Sequence, residues 1–239
     1  MQKTKMNNAR IYCLCLQDNL LEKVKKLNYL AVGLGQNEFS SEWIRDNTGE
    51  NISKKNPFYA EYSFHYWVWK NEIDNIPDNT WIGFCTYRRF WSNKKNENSK
   101  IIFEKVLNEI PNEWNEYDVI LGDHQNVEGI KWMKVLKYGK AAILKNPKAI
   151  FKKNRNLKFN FDLFHGVGIL DRAIALLDDE NKSDFEEYVN NNRSFNQVNM
   201  FISKSKTLIK NYYTTIFNWL EKCEKIFGFN LERYSKIRI

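Results

Sequence analysis

Two consecutive arginines, Arg88 and Arg89, directly follow the mostly apolar stretch "WIGFCTY". Guanidinium groups stay charged at physiological pH and bind phosphate oxygens through pairs of parallel hydrogen bonds. A diphosphate is therefore the ligand that this pair would suit. The structural alternative is that one arginine pairs with a buried carboxylate while the other is an ordinary surface residue, because structural ion pairs are common.

A second polar stretch, "DNTGENIS" at residues 46–53, places short polar side chains around a glycine in a chain that has only 10 glycines. This composition is typical of a turn in which Asp and Asn side chains bond to their own backbone. The same residues could instead present N–H groups and carboxylates to a sugar or a nucleotide. The sequence is compatible with both interpretations.

Three carboxylates are candidates for a catalytic acid or base. Asp46 opens the polar stretch, and Asp123 follows the apolar stretch "YDVILG", where a base, a metal ligand and an ordinary loop residue fit equally well. Glu61 lies among aromatic residues, and burial of a carboxylate is costly unless it is paired. His65, one helical turn later, is its nearest partner, in a pair that would be structural or catalytic.

The residues that usually hold metal ions are not spaced for a metal site. The three histidines, His65, His124 and His165, lack ligand spacing, and the strand ends show no Asp-x-Asp motif. The four cysteines lack the C-x-x-C spacing of zinc and redox motifs. We therefore predict no metal site and interpret the cysteines as reduced residues of a cytoplasmic protein.

Apolar stretches predict the elements that position these residues. Residues 10–16 and 29–35 are predicted strands, and residues 18–27 between them form a predicted amphipathic helix. This order starts a parallel βαβ unit, in which ligands bind outside the carboxyl ends of the strands. The segment 36–57 follows one such end, and the predicted strand 80–86 leads to the arginine pair.

The remaining chain is predicted to be mainly helical. Helices are expected over 58–71, 100–110, 170–177, 183–191 and 204–227 and from Pro147 onward, and strands over 117–122 and 198–203. The middle segment, 125–168, shows no clear pattern. Because no repeat, linker or boundary is visible, the sequence predicts a single α/β domain over residues 1–239, with a mostly parallel sheet and a helical C-terminal part.

The composition narrows the possible function classes. The chain has 239 residues, of which 43% are hydrophobic, so it can bury a sizeable core. No apolar run approaches the roughly 20 residues that cross a bilayer, which argues against a membrane span. The net charge of +8 favours phosphate-rich partners and the anionic cytoplasmic face of a membrane. A nucleic-acid-binding module is the main rival, but Lys and Arg are spread along the chain between acids, and no RNA-binding motif is present.

Several stretches together resemble a known family. These are "DNTGENIS", "AEYSFHYWVWKN" and "WIGFCTYRRF" in the first half, and "NMFI", "IFNWLEKCEK" and "FGFNLER" near the C-terminus. In this order they resemble a bacterial family of capsule and O-antigen locus proteins, catalogued as a domain of unknown function and regarded as glycosyltransferases. The chain departs from the family pattern at Thr86, where the family has His, and at Tyr62 and Ser63, where it has Leu-Thr.

The resemblance implies a GT-A-like domain that binds a nucleotide sugar, with UDP as the expected nucleotide. The donor-binding residues that it implies are Arg88, Arg89, Asn47, Thr48, Asn51 and Tyr87. In such an enzyme an acceptor hydroxyl attacks the anomeric carbon while the nucleoside diphosphate leaves, and cations stabilise the departing charge. A divalent metal ion usually stabilises this negative charge. In this chain Arg88 and Arg89 are the candidates that would replace the metal ion. In an inverting enzyme Glu61, Asp46 or Asp123 would deprotonate the acceptor.

The resemblance also implies the partners and the location. The acceptor would be a glycan or a lipid-linked oligosaccharide in capsule, lipopolysaccharide or O-antigen synthesis. The protein would be cytoplasmic, in peripheral contact with the inner face of the cell membrane, and would bind no nucleic acid. A catalytically inactive carbohydrate-binding or assembly protein is the second alternative.

Overall fold

The computed structural model describes residues 8–92, 98–127, 129, 132–196 and 199–229. The chain divides into two compact units, the first comprising residues 1–122 and 198–215 and the second comprising residues 123–197 and 216–239. The single domain expected over residues 1–239 stays a prediction.

The described residues contain eight strands and ten α-helices. In chain order the strands are β1 (Ala9–Cys15), β2 (Leu30–Gly33), β3 (Ile44–Arg45), β4 (Trp81–Thr86), β5 (Val119–Leu121), β6 (His124–Asn126), β7 (Ser194–Asn196) and β8 (Phe201–Ser203). The helices are α1 (Leu21–Lys26), α2 (Asn56–Tyr59), α3 (Tyr62–Trp67), α4 (Ile102–Lys105), α5 (Trp132–Tyr138), α6 (Lys140–Lys145), α7 (Leu157–His165), α8 (Ile169–Ile174), α9 (Asp179–Asn191) and α10 (Lys206–Phe227).

A six-stranded sheet in the order β3-β2-β1-β4-β8-β5 forms the centre of the first unit. Strands β1 to β4 are parallel to one another, and β8 runs antiparallel to both β4 and β5. The sheet is therefore mostly parallel, as the sequence predicts. The predicted strand-helix-strand start is confirmed as β1, α1 and β2.

The sequences of β1 and β4 explain their central position. Residues 11–15 and 81–85 are fully buried apolar runs, as expected for parallel strands that are covered on both faces. On one face Tyr12 stacks on Phe84 with ring centroids 5.6 Å apart, and Phe64 of α3 lies 5.2 Å from Tyr12. These aromatic contacts fix α3 over the sheet.

The prediction of one continuous helix over residues 58–71 is wrong. The helical stretch is divided at Ala60, whose φ of 49° interrupts the helical backbone between α2 and α3. The side-chain amide of Asn56 donates a hydrogen bond to the Ala60 carbonyl (2.8 Å) and stabilises this break. After Trp67 the chain continues as a π-helical turn over Val68–Glu72 and a 3₁₀ turn over Ile73–Asn75.

The prediction of a helix over residues 100–110 is too long, because only α4 (Ile102–Lys105) is helical in this stretch. Val106 has extended backbone and pairs with Ser92, and the Leu107 N–H donates to the Trp91 carbonyl (2.8 Å). The buried side chains of Val106 and Leu107 thus join the core as extended chain.

The helix expected from Pro147 is replaced by two 3₁₀ turns, Pro147–Ile150 and Lys152–Asn154. The reason is Arg155, whose fully buried guanidinium donates to the carbonyls of Ala149 (3.1 Å) and Ile150 (3.4 Å). A backbone carbonyl that accepts a hydrogen bond from the Arg155 side chain is not oriented for the regular backbone hydrogen bonds of an α-helix.

The second unit contains β6 and β7, which pair antiparallel, and mainly helices. Two clusters of buried apolar residues lie in this unit. One consists of Val127, Leu157, Leu170, Ile174 and Val189, and the other of Val135, Ala142, Ala149, Phe159 and Leu163. Within this unit the Trp219 indole donates to the Ala173 carbonyl (2.6 Å), and its ring lies 5.8 Å from that of Phe185. These contacts hold residues 216–227 of α10 against α8 and α9.

Three further expectations can be compared with the described ranges. No helix in those ranges combines the length and apolar character that a membrane crossing requires. All four cysteines are free, and Cys13, Cys15 and Cys85 are buried in the first unit. Gly228, with φ of 63°, follows the end of α10, as predicted.

Candidate functional site

The candidate site lies at the carboxyl edge of the parallel strands in the first unit. Because β1, β2, β3 and β4 are parallel, the segments that follow Cys15, Gly33, Arg45 and Thr86 all leave the sheet at this edge. The polar stretch 46–53 follows β3, and the arginine pair follows β4. The topology therefore brings the two sequence-predicted groups to the edge where ligands of such sheets bind.

Asp46 is fully buried and holds the start of the polar stretch in place. Its carboxylate accepts hydrogen bonds from the Gly35 N–H (2.8 Å), just beyond β2, and from the Ser63 hydroxyl in α3 (2.5 Å). Burial raises the pKa of Asp46, while the bonds from Ser63 and Gly35 act in the opposite direction. Both carboxylate oxygens are engaged inside the protein, and the predicted role of Asp46 as a base is untested.

Asn71 fixes the middle of the polar stretch. Its side-chain oxygen accepts from the Glu50 N–H (3.1 Å), and its amide donates to the carbonyls of Glu50 (2.8 Å) and Trp67 (2.9 Å). Gly49 has φ of 55°, and a Cβ placed there would lie 2.1 Å from the Asn71 oxygen. A glycine is therefore required at this close approach of the loop to the helix.

Most other side chains of the stretch also bond within the protein. The Thr48 hydroxyl accepts from the Trp67 indole (3.0 Å), and Asn51 bonds to the Gly49 carbonyl (2.9 Å) and the Ser53 N–H (3.2 Å). Asn47 is exposed and, among the described residues, its side chain has no hydrogen-bond partner. Among the three predicted donor-binding residues of this stretch, Asn47 is thus the one whose side chain has no hydrogen-bond partner within the described residues.

Arg88 and Arg89 lie exposed on a tight turn. The Arg89 N–H donates to the Thr86 carbonyl (3.0 Å), and the Thr86 N–H donates to the Arg89 carbonyl (3.2 Å). This pair of hydrogen bonds reverses the chain directly after β4. Arg88 lies over the ring of Tyr87, with 5.1 Å from Cζ to the centroid, and Tyr87 packs against the core. Neither guanidinium forms an ion pair with any carboxylate of the described ranges. The buried ion pair of the structural alternative is not seen there.

Glu61 lies half-buried at the start of α3 and, among the described residues, has no ion-pair partner. The expected pairing with His65 is wrong, because the imidazole Nδ1 lies 2.9 Å from the hydroxyl of Tyr213 instead. His65 is completely buried, and this burial lowers its pKa to about 3, with a smaller opposing effect of the Asn199 backbone. His65 is therefore a neutral core residue.

This burial predicts an acid-dependent loss of stability. The pKa of a histidine in an unfolded chain is about 6.5. Below that pH the unfolded state binds a proton at this residue, whereas folded His65 stays neutral until the pH approaches about 3. The free energy of unfolding should fall as the pH decreases from about 6.5 to about 3, by up to about 5 kcal/mol from this residue. Urea unfolding across this range measures the slope.

The matched control is His65→Phe, which keeps an aromatic ring but cannot titrate. Its free energy of unfolding should fall less steeply with acid than that of the unsubstituted protein. Equal slopes for the two proteins would show that the folded state of the unsubstituted chain protonates His65 freely.

Asp123, the third candidate base, is exposed and belongs to the second unit, as its first residue. His124 opens β6 in the same unit and is also exposed. Within the described ranges no group of three or more His, Cys, Asp and Glu side chains is placed to hold a metal ion.

The sequence interpretation missed the residues that shape this edge. Arg45 donates to the carbonyls of Gly33 (3.0 Å), Gly35 (2.8 Å) and Asn37 (3.0 Å) and so fixes the segment after β2. Asn71 fixes the next segment. Asn71 ends a mainly aromatic stretch and Arg45 ends the mostly polar segment 36–45, and neither position by itself identifies a partner.

The profile of a protein family described as "Domain of unknown function (DUF4422)" matches residues 10–239. The chain belongs to this family. No curated protein matches the sequence of this DUF4422 chain. Membership in a family catalogued as a domain of unknown function is thus confirmed.

A solved structure shares the fold of the DUF4422 chain. It is the apo structure of the bifunctional glycosyltransferase WbbM, with a TM-score of 0.59 and 20% sequence identity. The match covers 94% of this chain and 38% of the WbbM chain. The expected α/β fold with a mostly parallel sheet and helices is confirmed by this likeness and by the sheet order, and its GT-A type stays a prediction.

Proposed function

We propose that this chain is a glycosyltransferase that uses a nucleotide sugar, with UDP as its nucleotide. The observation that carries the proposal is the pair of exposed guanidiniums, Arg88 and Arg89, on a tight turn at the carboxyl edge of a parallel sheet. The fold shared with WbbM, a glycosyltransferase by its title, supports the same conclusion. The acceptor is a glycan or lipid-linked oligosaccharide of a capsule, lipopolysaccharide or O antigen.

In this proposal Arg88 and Arg89 bind the diphosphate of the donor. Two guanidiniums offer planar donor groups to the phosphate oxygens and hold two positive charges where the leaving group gains negative charge. Asn47, with its uncommitted amide, contacts the donor next to them. Thr48, Asn51 and Tyr87 act by holding this wall of the site, because their side chains already bond or pack within the protein.

Glu61 is the proposed base among the three carboxylates. The oxygens of Asp46 are occupied, and Asp123 is in the other unit, whereas Glu61 is half-buried in the first unit without an ion-pair partner in the described ranges. The acceptor oxygen forms a bond to the anomeric carbon as the bond from that carbon to the phosphate oxygen breaks. The acceptor proton moves to the Glu61 carboxylate, and the electron pair of the broken bond leaves with the diphosphate.

Glycosyltransferases of this fold type commonly use a divalent metal to hold the diphosphate. The described residues lack an acidic cluster that would fit such an ion. In this proposal Arg88 and Arg89 supply positive charge at the diphosphate.

A nucleoside diphosphate should raise the melting temperature, because a ligand that binds only the folded state stabilises it. At about a hundredfold excess over the dissociation constant, UDP should raise it by about 5–10 °C. The measurement is a thermal-shift series with nucleoside diphosphates and nucleotide sugars. Uridine, which lacks the phosphates, is the control ligand and should give a much smaller shift.

The same series discriminates the alternative functions. If single-stranded RNA raised the melting temperature while no nucleoside diphosphate did, the chain would be a nucleic-acid-binding module. If glycans alone raised it, a carbohydrate-binding protein without transferase activity would replace the proposal.

A further inference from the structure

A long basic segment lies in the second unit, in the part of the sequence that showed no clear pattern. Residues 129–161 contain nine lysines and one arginine and no acidic residue. The expectation that Lys and Arg are spread along the chain between acids does not hold over this stretch. Such a local excess of one sign of charge attracts anionic partners more strongly than the net charge of the whole chain.

One side of this segment is anchored in the core of its unit. Val135 of α5, Ala142 of α6 and Ala149 of the following 3₁₀ turn are buried and pack in one cluster with Phe159 and Leu163 of α7. The segment is thus a packed layer of short helices. Its single arginine, Arg155, is fully buried and bonds to backbone carbonyls, so the exposed cations of the segment are lysines.

The same segment also exposes large apolar side chains. Met133 is 82% exposed, Leu144 81% and Phe151 63%. Lys148, Lys152 and Lys153 lie between or beside them in the sequence and are also exposed. We call these six residues the basic-apolar surface. Exposed apolar residues combined with lysines are typical of segments that bind at a membrane interface.

We propose that the basic-apolar surface docks on the surface of a membrane that contains anionic lipids. Met133, Leu144 and Phe151 enter the boundary between headgroups and acyl chains, and the lysine ammonium groups reach the lipid phosphates on their flexible stems. Each lysine adds attraction to the negative surface potential, which falls off within a Debye length.

The side chains favour lipid over nucleic acid as the partner. Binding of single-stranded nucleic acid uses aromatic platforms on which bases stack. Of the three exposed apolar side chains, only Phe151 is aromatic, whereas Met133 and Leu144 offer bases no face to stack on and are unfavourably exposed to water unless an apolar phase covers them. Membrane docking goes beyond the proposed transferase function and does not depend on it, since it is measured without donor or acceptor.

Sedimentation of the full chain with lipid vesicles tests this proposal. The protein should bind vesicles that contain phosphatidylglycerol, bind vesicles of pure phosphatidylcholine much more weakly, and lose affinity as salt is added. The double substitution Lys152→Gln with Lys153→Gln should lower the affinity for the anionic vesicles about 25-fold, because each lost charge should lower it about fivefold. Leu144→Ser with Phe151→Ser should lower it about tenfold or more by removing apolar insertion.

Matched substitutions in the first unit control for charge and for apolar exposure. Lys54→Gln with Lys100→Gln removes two exposed charges, and Ile101→Ser with Phe103→Ser removes two exposed apolar side chains. Each control should change the affinity less than about twofold, and the melting temperatures should show that all variants fold. No binding to anionic vesicles, equal losses in the control and test variants, or lysine-dependent binding of single-stranded RNA without vesicle binding would each overturn the proposal.

Discussion

Glu61→Gln should lower the turnover of the nucleotide-sugar donor by about 100- to 10,000-fold, the usual effect of removing a general base. Glutamine keeps the size and polarity of the side chain but cannot accept the acceptor proton. Because Glu61 does not bind the diphosphate in the proposed mechanism, the thermal shift given by UDP should persist in this variant. Turnover is measured as nucleotide release from the donor that gives the largest thermal shift.

The other two carboxylates provide the controls for this assignment. Asp123→Asn should leave turnover close to that of the unsubstituted protein. Asp46→Asn should change the free energy of unfolding, because it alters a buried acceptor of two hydrogen bonds, while turnover per folded molecule stays nearly the same. A large loss of turnover in Asp123→Asn together with normal turnover in Glu61→Gln would transfer the role of base to Asp123.

The position of the candidate site could be predicted from the sequence, because it depends on local patterns. Apolar runs before residue 16, residue 35 and Thr86 identify strands, and a strand-helix-strand order implies a parallel sheet. The direction of parallel strands then places residues 46–53 and the arginine pair at one edge. No knowledge of side-chain contacts is needed for that step.

The partners of individual side chains could not be predicted, because they come from distant parts of the chain. The helical spacing predicts Glu61, four residues away, as the partner of His65, but His65 contacts Tyr213, which is 148 residues away. The amide of Asn71 holds Glu50, 21 residues earlier. Spacing within one helix indicates which residues share a face, but tertiary packing decides which of them meets a partner.

Short helices explain why the middle of the chain gave no pattern. Helices α5 and α6 have seven and six residues and are followed by 3₁₀ turns, so no apolar periodicity extends over the window that a helix prediction needs. Several large apolar residues of this segment are also exposed, which blurs the contrast between buried and solvated positions. The exposure of these apolar residues is also the observation on which the proposed membrane docking rests.

Arg88→Lys and Arg89→Lys separate the functional interpretation of the arginine pair from the structural one. Lysine keeps the charge but loses the planar fork that binds two phosphate oxygens at once. We expect turnover to fall by about 100-fold or more in at least one variant, by analogy with the removal of one donor from an oxyanion hole. The melting temperature should change little, because both guanidiniums are exposed and have no ion pair in the described ranges.

Arg10→Lys is the matched control, since Arg10 is a partly exposed arginine of β1 that pairs with Glu72. It should leave turnover unchanged, because it lies near the start of β1 and the candidate site lies beyond the end of that strand. Turnover and melting temperature are measured for all three variants. Normal turnover with a clearly lower melting temperature in both Arg88→Lys and Arg89→Lys would show that the pair stabilises the turn after β4 and does not bind the diphosphate.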